Sequence, residues 1–235
     1  MRTPAPPARG ALLQPTRNGH HVIWPAVVTG LALIALGLVL RVAPIDAPVV
    51  EALNASHTGA WGRTANVIYL SLEPVPSALL TLVILASIAV VRRSLRTGVV
   101  FGGVVALTWL PTEVIKLVVD RPRPDALALA HPFSPAPVDA SFPSGHTTFV
   151  ATLAIAFWFL LRGTRWAALP LIAGTAATVT IGLAVVSDGV HYPTDVAASI
   201  LWALAMAPVA RWVMVDLVPA GLFRIARSHD RPRRR

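Results

Sequence analysis

The chain has 235 residues, of which 55% are hydrophobic and 13% charged, against about 25% charged in an ordinary soluble domain. It contains no cysteine, which excludes a disulfide scaffold, a thiolate nucleophile and cysteine-ligated zinc or iron–sulfur centres. The net charge is +9, from 19 arginines and one lysine against 11 acids; the arginines gather at the ends of apolar runs, a pattern of membrane topology and not of nucleic-acid binding.

Residues 1–21 form a polar arm with Arg2, Arg9, Arg17 and the prolines Pro4, Pro6, Pro7 and Pro15, a composition that predicts disorder. Residues 22–40 follow as 19 positions without a charge, enough to cross a ~30 Å hydrocarbon core. No small-x-small cleavage site follows, so this run reads as an uncleaved first span. Further spans are expected at 74–91, 97–115, 144–161, 166–187 and 193–215. The segment 122–143 holds six prolines and reads as an irregular extended cap. The tail, 219–235, ends Arg-Pro-Arg-Arg-Arg and suits an orientation signal anchored to anionic lipid.

The expected architecture is therefore an all-α integral membrane bundle of six transmembrane helices over 22–218, with both termini on one side. That side carries 14 of the 20 basic residues and is read as cytoplasmic. Arg211, near the inner end of the last span, is expected to snorkel toward the interface. Arg41, Arg63, Lys116, Arg121 and Arg123 fall on the opposite face. There the third loop supplies Lys116, Arg121 and Arg123 at its start and Pro143-Ser144-Gly145-His146 at its end, while the fifth supplies His191 and Asp195.

Each of these groups has a plain structural use. The cations are ordinary interfacial anchors, Ser144 is a helix N-cap, and His191 with Asp195 forms an i, i+4 polar pair. Together they suit phosphoryl transfer. Cations and helix N–H groups hold phosphate oxygens, a histidine oriented by a carboxylate attacks phosphorus, and a second histidine protonates the leaving oxygen. Zinc is possible at His146, His191 and Asp195 on ligand type, but the surrounding cations argue against it. Glu113, three residues before Lys116, is placed to pair with it; Glu73 has no evident role.

The chain resembles the type 2 phosphatidic acid phosphatase superfamily of integral membrane lipid phosphatases. Lys116 with Arg123-Pro124 matches its first motif, residues 143–146 match its second, Pro-Ser-Gly-His, and His191 with Asp195 matches the end of its third. The third motif departs at Ala184-Val185, where a Ser-Arg pair is expected, and Asp188 adds a negative charge nearby. The resemblance implies His191 as nucleophile forming a phosphohistidine, Asp195 orienting it, and His146 as general acid. It further implies Lys116, Arg123, Ser144 and the Gly145 amide as phosphate ligands, with no metal or other cofactor. The implied substrate is a lipid phosphate or polyprenyl diphosphate at the outer face of a bacterial cytoplasmic membrane. Membrane lipid is an expected partner and nucleic acid is not. The alternative is a weakened or inactive lipid-phosphate binder, because Val185 replaces an arginine.

Overall fold

In a computed structural model that describes residues 11–16 and 18–218, the regular structure among the described residues is all helical, without a strand. The helices are α1 (His20–Val42), α2 (Ala47–Asn54), α3 (Gly59–Ser71), α4 (Pro74–Val91), α5 (Leu95–Trp109), α6 (Thr112–Val119), α7 (Gly145–Leu161), α8 (Ala168–Ser187) and α9 (Pro193–Trp212). Five segments are long and apolar enough to cross a membrane: α1, α4, the stretch Leu95–Val119, α8 and the stretch Pro193–Leu217. The apolar helix α7 is shorter, at 17 residues, about 26 Å at 1.5 Å per residue.

Local chemistry sets the boundaries. Proline occupies the first turn of α4 and α9, where its missing N–H is no loss. The Ser94 and Ser144 hydroxyls accept the N–H groups of Thr97 and Thr147 at 3.2 and 3.3 Å, capping α5 and α7. The third apolar run is not one helix. It breaks between α5 and α6 at Leu110-Pro111, and α6 stops at Asp120, which adopts a left-handed φ of 47°. Arg41 seals that end, with Nη1 donating to the Val119 carbonyl at 3.2 Å and Nη2 3.0 Å from the Asp120 carboxylate.

α5, α7, α8 and α9 enclose the main core, with Phe101, Val104, Phe149 and Val185 fully or nearly fully buried. α1 lies against α6 and α9, where Leu33, Ile115, Phe142 and Trp202 make a second cluster. Outward-facing Trp24, Leu31, Val39, Leu82 and Ile172 stay exposed, as suits helices bathed in lipid. Lipid leaves little hydrophobic drive between helices, so close approach at small residues matters. A Cβ at Gly174 of α8 would clash with Ala154 of α7, and one at Gly182 would meet Val196 of α9 at 2.8 Å.

Two expectations change. Residues 1–10, 17 and 219–235, most of the basic arm and the tail, lie outside the described residues. Residues 11–16, part of the same arm, instead pack against the bundle: Ala11–Leu13 forms a 3-10 turn with Leu12 fully buried. Arg211 is the cause. It does not snorkel but is itself buried, donating to the carbonyls of Leu12 and Gln14 at 3.2 and 2.6 Å and to the Thr16 hydroxyl at 2.8 Å. Second, the segment between the first two expected spans, to which the sequence reading assigns no helix, folds as α2 and α3.

Gly174→Leu is expected to destabilise the bundle by about 1–3 kcal/mol, the usual penalty for overpacking. Thermal unfolding in detergent checks this, and Ile172→Leu on the lipid face should leave the midpoint unchanged.

Candidate active site

The break at Pro111 and the stop at Asp120 leave α6 as a short helix that carries Lys116 in its last turn. The chain then crosses the top of the bundle as an irregular cap over 121–144, with one 3-10 turn, Ala126–Ala128. The cap is pinned at two places. The His131 N–H donates to Asn54 Oδ1 at 2.8 Å and its carbonyl accepts from Asn54 Nδ2 at 2.9 Å, with His57 Nδ1 at 3.0 Å. Further along, Ser141 N–H donates to the Arg121 carbonyl at 2.9 Å. These ties bring the expected residues from the cap, α6, α7 and α9 together.

His191 lies between α8 and α9 and is fully buried. The Val185 carbonyl accepts its backbone N–H at 3.1 Å. Its Nδ1 faces Asp195 Oδ2 at 3.4 Å, and its Nε2 lies 3.4 Å from Arg123 Nη1. A carboxylate can only accept, so Nδ1 carries the proton and Nε2 keeps its lone pair. Burial, then the positive charges of Arg123 and Lys116, push the His191 pKa well below the ordinary histidine value. The imidazole is therefore neutral at physiological pH.

Asp195 is held from three sides. Besides His191, it accepts the Tyr192 N–H at 2.9 Å and Arg121 Nη1 at 2.7 Å. Arg121, fully buried, also binds Asp46 through Nη2 at 2.7 Å and lies 3.8 Å above the Tyr192 ring. Burial opposes ionisation of Asp46, but the hydroxyl and N–H of Thr194 and the Arg121 charge outweigh it and lower its pKa. Arg121 thus serves Asp195 from behind. It does not line the cavity beside His146.

That cavity has a volume of about 240 Å³ and is lined by Tyr69, Glu73, Lys116, Arg123, Gly145 and His146 among others. His146, in the first turn of α7, stacks on Tyr69 with ring centroids 4.4 Å apart, and its Nε2 meets the Tyr69 carbonyl at 3.2 Å. A carbonyl only accepts, so Nε2 is the N–H and Nδ1 is left for chemistry. The His146 and His191 rings are 6.3 Å apart. Ser144 is fully buried and engaged as the α7 cap, whereas Gly145 reaches the cavity wall.

Several participants were not legible in the sequence. Asp139 of the cap places Oδ2 2.7 Å from Lys116 Nζ and Oδ1 2.7 Å from Arg123 Nη2. Burial opposes its ionisation, but the Lys116 hydrogen bond and the charges of Arg123 and Lys116 hold its pKa below the usual carboxylate range. Glu113, the anticipated partner of Lys116, is more distant at 3.9 Å. Glu73 lines the cavity mouth. Asp188 does not face the cavity: it is buried 2.9 Å from His57 Nε2, and burial raises its pKa to about 6 against the opposing pull of His57. Val185 packs in the main core. The proline at the second position of α2 marked a helix start, and could have drawn attention to Asp46 beside it.

Known proteins share the fold and part of the sequence. The fold matches the crystal structure of a transmembrane PAP2-type phosphatidylglycerolphosphate phosphatase from Bacillus subtilis, with a TM-score of 0.61 and 18% identity over 90% of this chain and 100% of that one. In sequence the chain is 34% identical over 110 residues to undecaprenyl-diphosphatase BcrC of Bacillus subtilis (strain 168), covering 46% of this chain and 54% of that protein. It is also 34% identical over 109 residues to a lipid A 1-phosphatase of Rhizobium etli, covering 44% and 42%. The chain thus spans about half the length of the curated relatives it matches, or less. The family model described as PAP2 superfamily matches residues 97–219, a stretch that holds Lys116, Arg123, the Pro-Ser-Gly-His turn, His191 and Asp195. With the helical membrane fold and that match together, the chain belongs to the PAP2 superfamily.

Proposed function

We propose that this integral membrane protein is a metal-independent phosphatase that hydrolyses a lipid phosphate or diphosphate at the outer face of the membrane. The observation that carries the reading is the buried His191–Asp195 pair, whose free nitrogen points at Arg123 beside Lys116. The printed activities of the matched relatives, undecaprenyl-diphosphatase and lipid A 1-phosphatase, support a lipid substrate. Six spans, with α7 counted among them, and cytoplasmic termini put the cavity outside, as the arginine distribution favours.

In this mechanism Lys116, Arg123 and the Gly145 amide hold the phosphoryl oxygens, with Ser144 fixing the start of α7. His191 Nε2 attacks phosphorus as the bond to the leaving oxygen breaks; His146, protonated on both nitrogens in the substrate complex, gives its Nδ1 proton to that oxygen and keeps the one on Nε2. The leaving group is an alcohol from a monoester or a lipid monophosphate from a diphosphate. Water then attacks the phosphohistidine, His146 accepts its proton, and the P–N bond breaks to release inorganic phosphate. The positive charge that a metal ion supplies elsewhere comes from arginine and lysine. Arg121 keeps Asp195 in place behind the nucleophile.

The second reading, a lipid-phosphate binder without turnover, rests on Val185, which puts a core side chain where the third motif has arginine. Phosphate release by the wild type decides between them: binding of phosphatidate or a polyprenyl diphosphate with no release favours the binder.

His191→Ala is expected to abolish release of phosphate from these lipids in detergent micelles containing a chelator; release unchanged in that variant overturns the mechanism. The acid limb of kcat/KM set by His191 should lie below pH 6.5, since its conjugate acid is disfavoured. Lys116→Met removes a nearby cation, favours the protonated ring, and should move that limb upward while raising KM. Arg121→Met leaves Asp46 and Asp195 buried without their cation; a loss of about 3–5 kcal/mol is expected for one broken buried pair, read as a lower unfolding temperature together with lost activity.

A further inference from the structure

The proposed nucleophile has no opening to the cavity. His191 is fully buried, and the group nearest its free nitrogen is Arg123 Nη1. Every nitrogen of that guanidinium is engaged: Nε with the Asp139 carbonyl at 3.0 Å, Nη1 with the Val190 carbonyl at 2.6 Å, and Nη2 with the Asp139 carboxylate. Lys116 Nζ is bound by the other oxygen of the same carboxylate. One anionic group therefore bridges, with one oxygen each, the two cations that a phosphoryl group must reach. The Asp139 side chain is 53% exposed. Its release from the two cations requires only rotation about its own side-chain bonds.

Resting on the phosphatase reading, we propose that Asp139 is an internal stand-in for phosphate: its carboxylate holds Lys116 and Arg123 until a more highly charged phosphoryl group displaces it. This makes Asp139 a specificity-determining residue. A phosphomonoester or terminal diphosphate brings about −1.5 to −2 charges at neutral pH and outbids a single carboxylate. A phosphodiester brings only one negative charge, no more than Asp139 itself, and lacks the advantage of being tethered to the site. Phosphodiester head groups make up most of the lipid that surrounds such a protein, so the carboxylate screens the cations from the commonest wrong ligand. It also favours release of inorganic phosphate after turnover, because Asp139 returns to both cations as the product leaves.

The test uses the full chain in detergent at pH 8, with inorganic phosphate as the dianion and dimethyl phosphate as the monoanion, both read by thermal stabilisation. Asp139→Asn keeps the backbone carbonyl that holds Arg123 Nε and the size of the side chain, and removes the charge. It is expected to bind phosphate about 10-fold or more tightly than the wild type, the order of one charge-assisted hydrogen bond no longer opposed. Dimethyl phosphate should compete in the variant and have no effect on the wild type. Asp139→Ala should behave alike, which separates competition from any new contact of the amide. Wild type that binds phosphate, with both variants binding it no better or more weakly, shows that Asp139 positions the cations and overturns the proposal alone. Absence of phosphate binding in all three proteins overturns the phosphatase reading and this proposal together.

Discussion

The buried guanidinium of Arg121 is the interaction on which the rest of the site depends. It ties Asp46, before α2, to Asp195, in the first turn of α9, at 2.7 Å each, and it does so from the segment just after α6. Removing three charges from water is costly, and a buried ion pair stabilises only when its hydrogen bonds are met. Here Thr194, Tyr192 and the His191 ring complete the two carboxylates. One residue thereby joins three separate stretches of chain, and the direction of the His191 ring follows from it.

Helix packing supplies the frame for this network. Glycines at 98, 174 and 182 let backbones approach where a side chain would collide, the usual device where lipid gives little reason for apolar surfaces to associate. α7 then brings the Pro-Ser-Gly-His turn into the bundle, and the Ser199 hydroxyl of α9 donates to the Ser144 carbonyl at 2.8 Å. That contact holds the start of α7, and His146 in its first turn, against α9. Lys116 reaches the same place from α6, a helix kept short by Pro111 and by the left-handed turn at Asp120, and Arg123 reaches it from the cap just beyond.

What was legible in the sequence is what periodicity and charge record directly. The long apolar runs, the Ser144 cap, and the grouping of Lys116, Arg123, His146, His191 and Asp195 at one end all follow from uncharged length, from a serine before a helix and from the alternation of spans. α2 and α3 left no such trace. They are short or polar, with Glu51, Arg63 and a turn at His57 between them, so a search for uncharged stretches passes over them. Arg211 misled for a related reason: an arginine near a span end usually snorkels, and only the folded chain shows six residues of the arm wrapped against it. Asp139 was hidden by its setting, in a proline-rich cap where nothing local fixes which way a side chain points.

The family match begins at residue 97, yet much of what holds the site lies earlier. Asp46 anchors Arg121, Asn54 and His57 fasten the cap at His131, and the Tyr69 carbonyl orients His146. The matched region is therefore not an exchangeable module. A chimera that transplants only the motif-bearing half of a relative onto this amino-terminal half joins two surfaces that were never fitted to each other, even with every motif residue intact. The boundary for such an exchange belongs before Asp46, in the short link after α1, so that the second and third helices travel with the motifs they support.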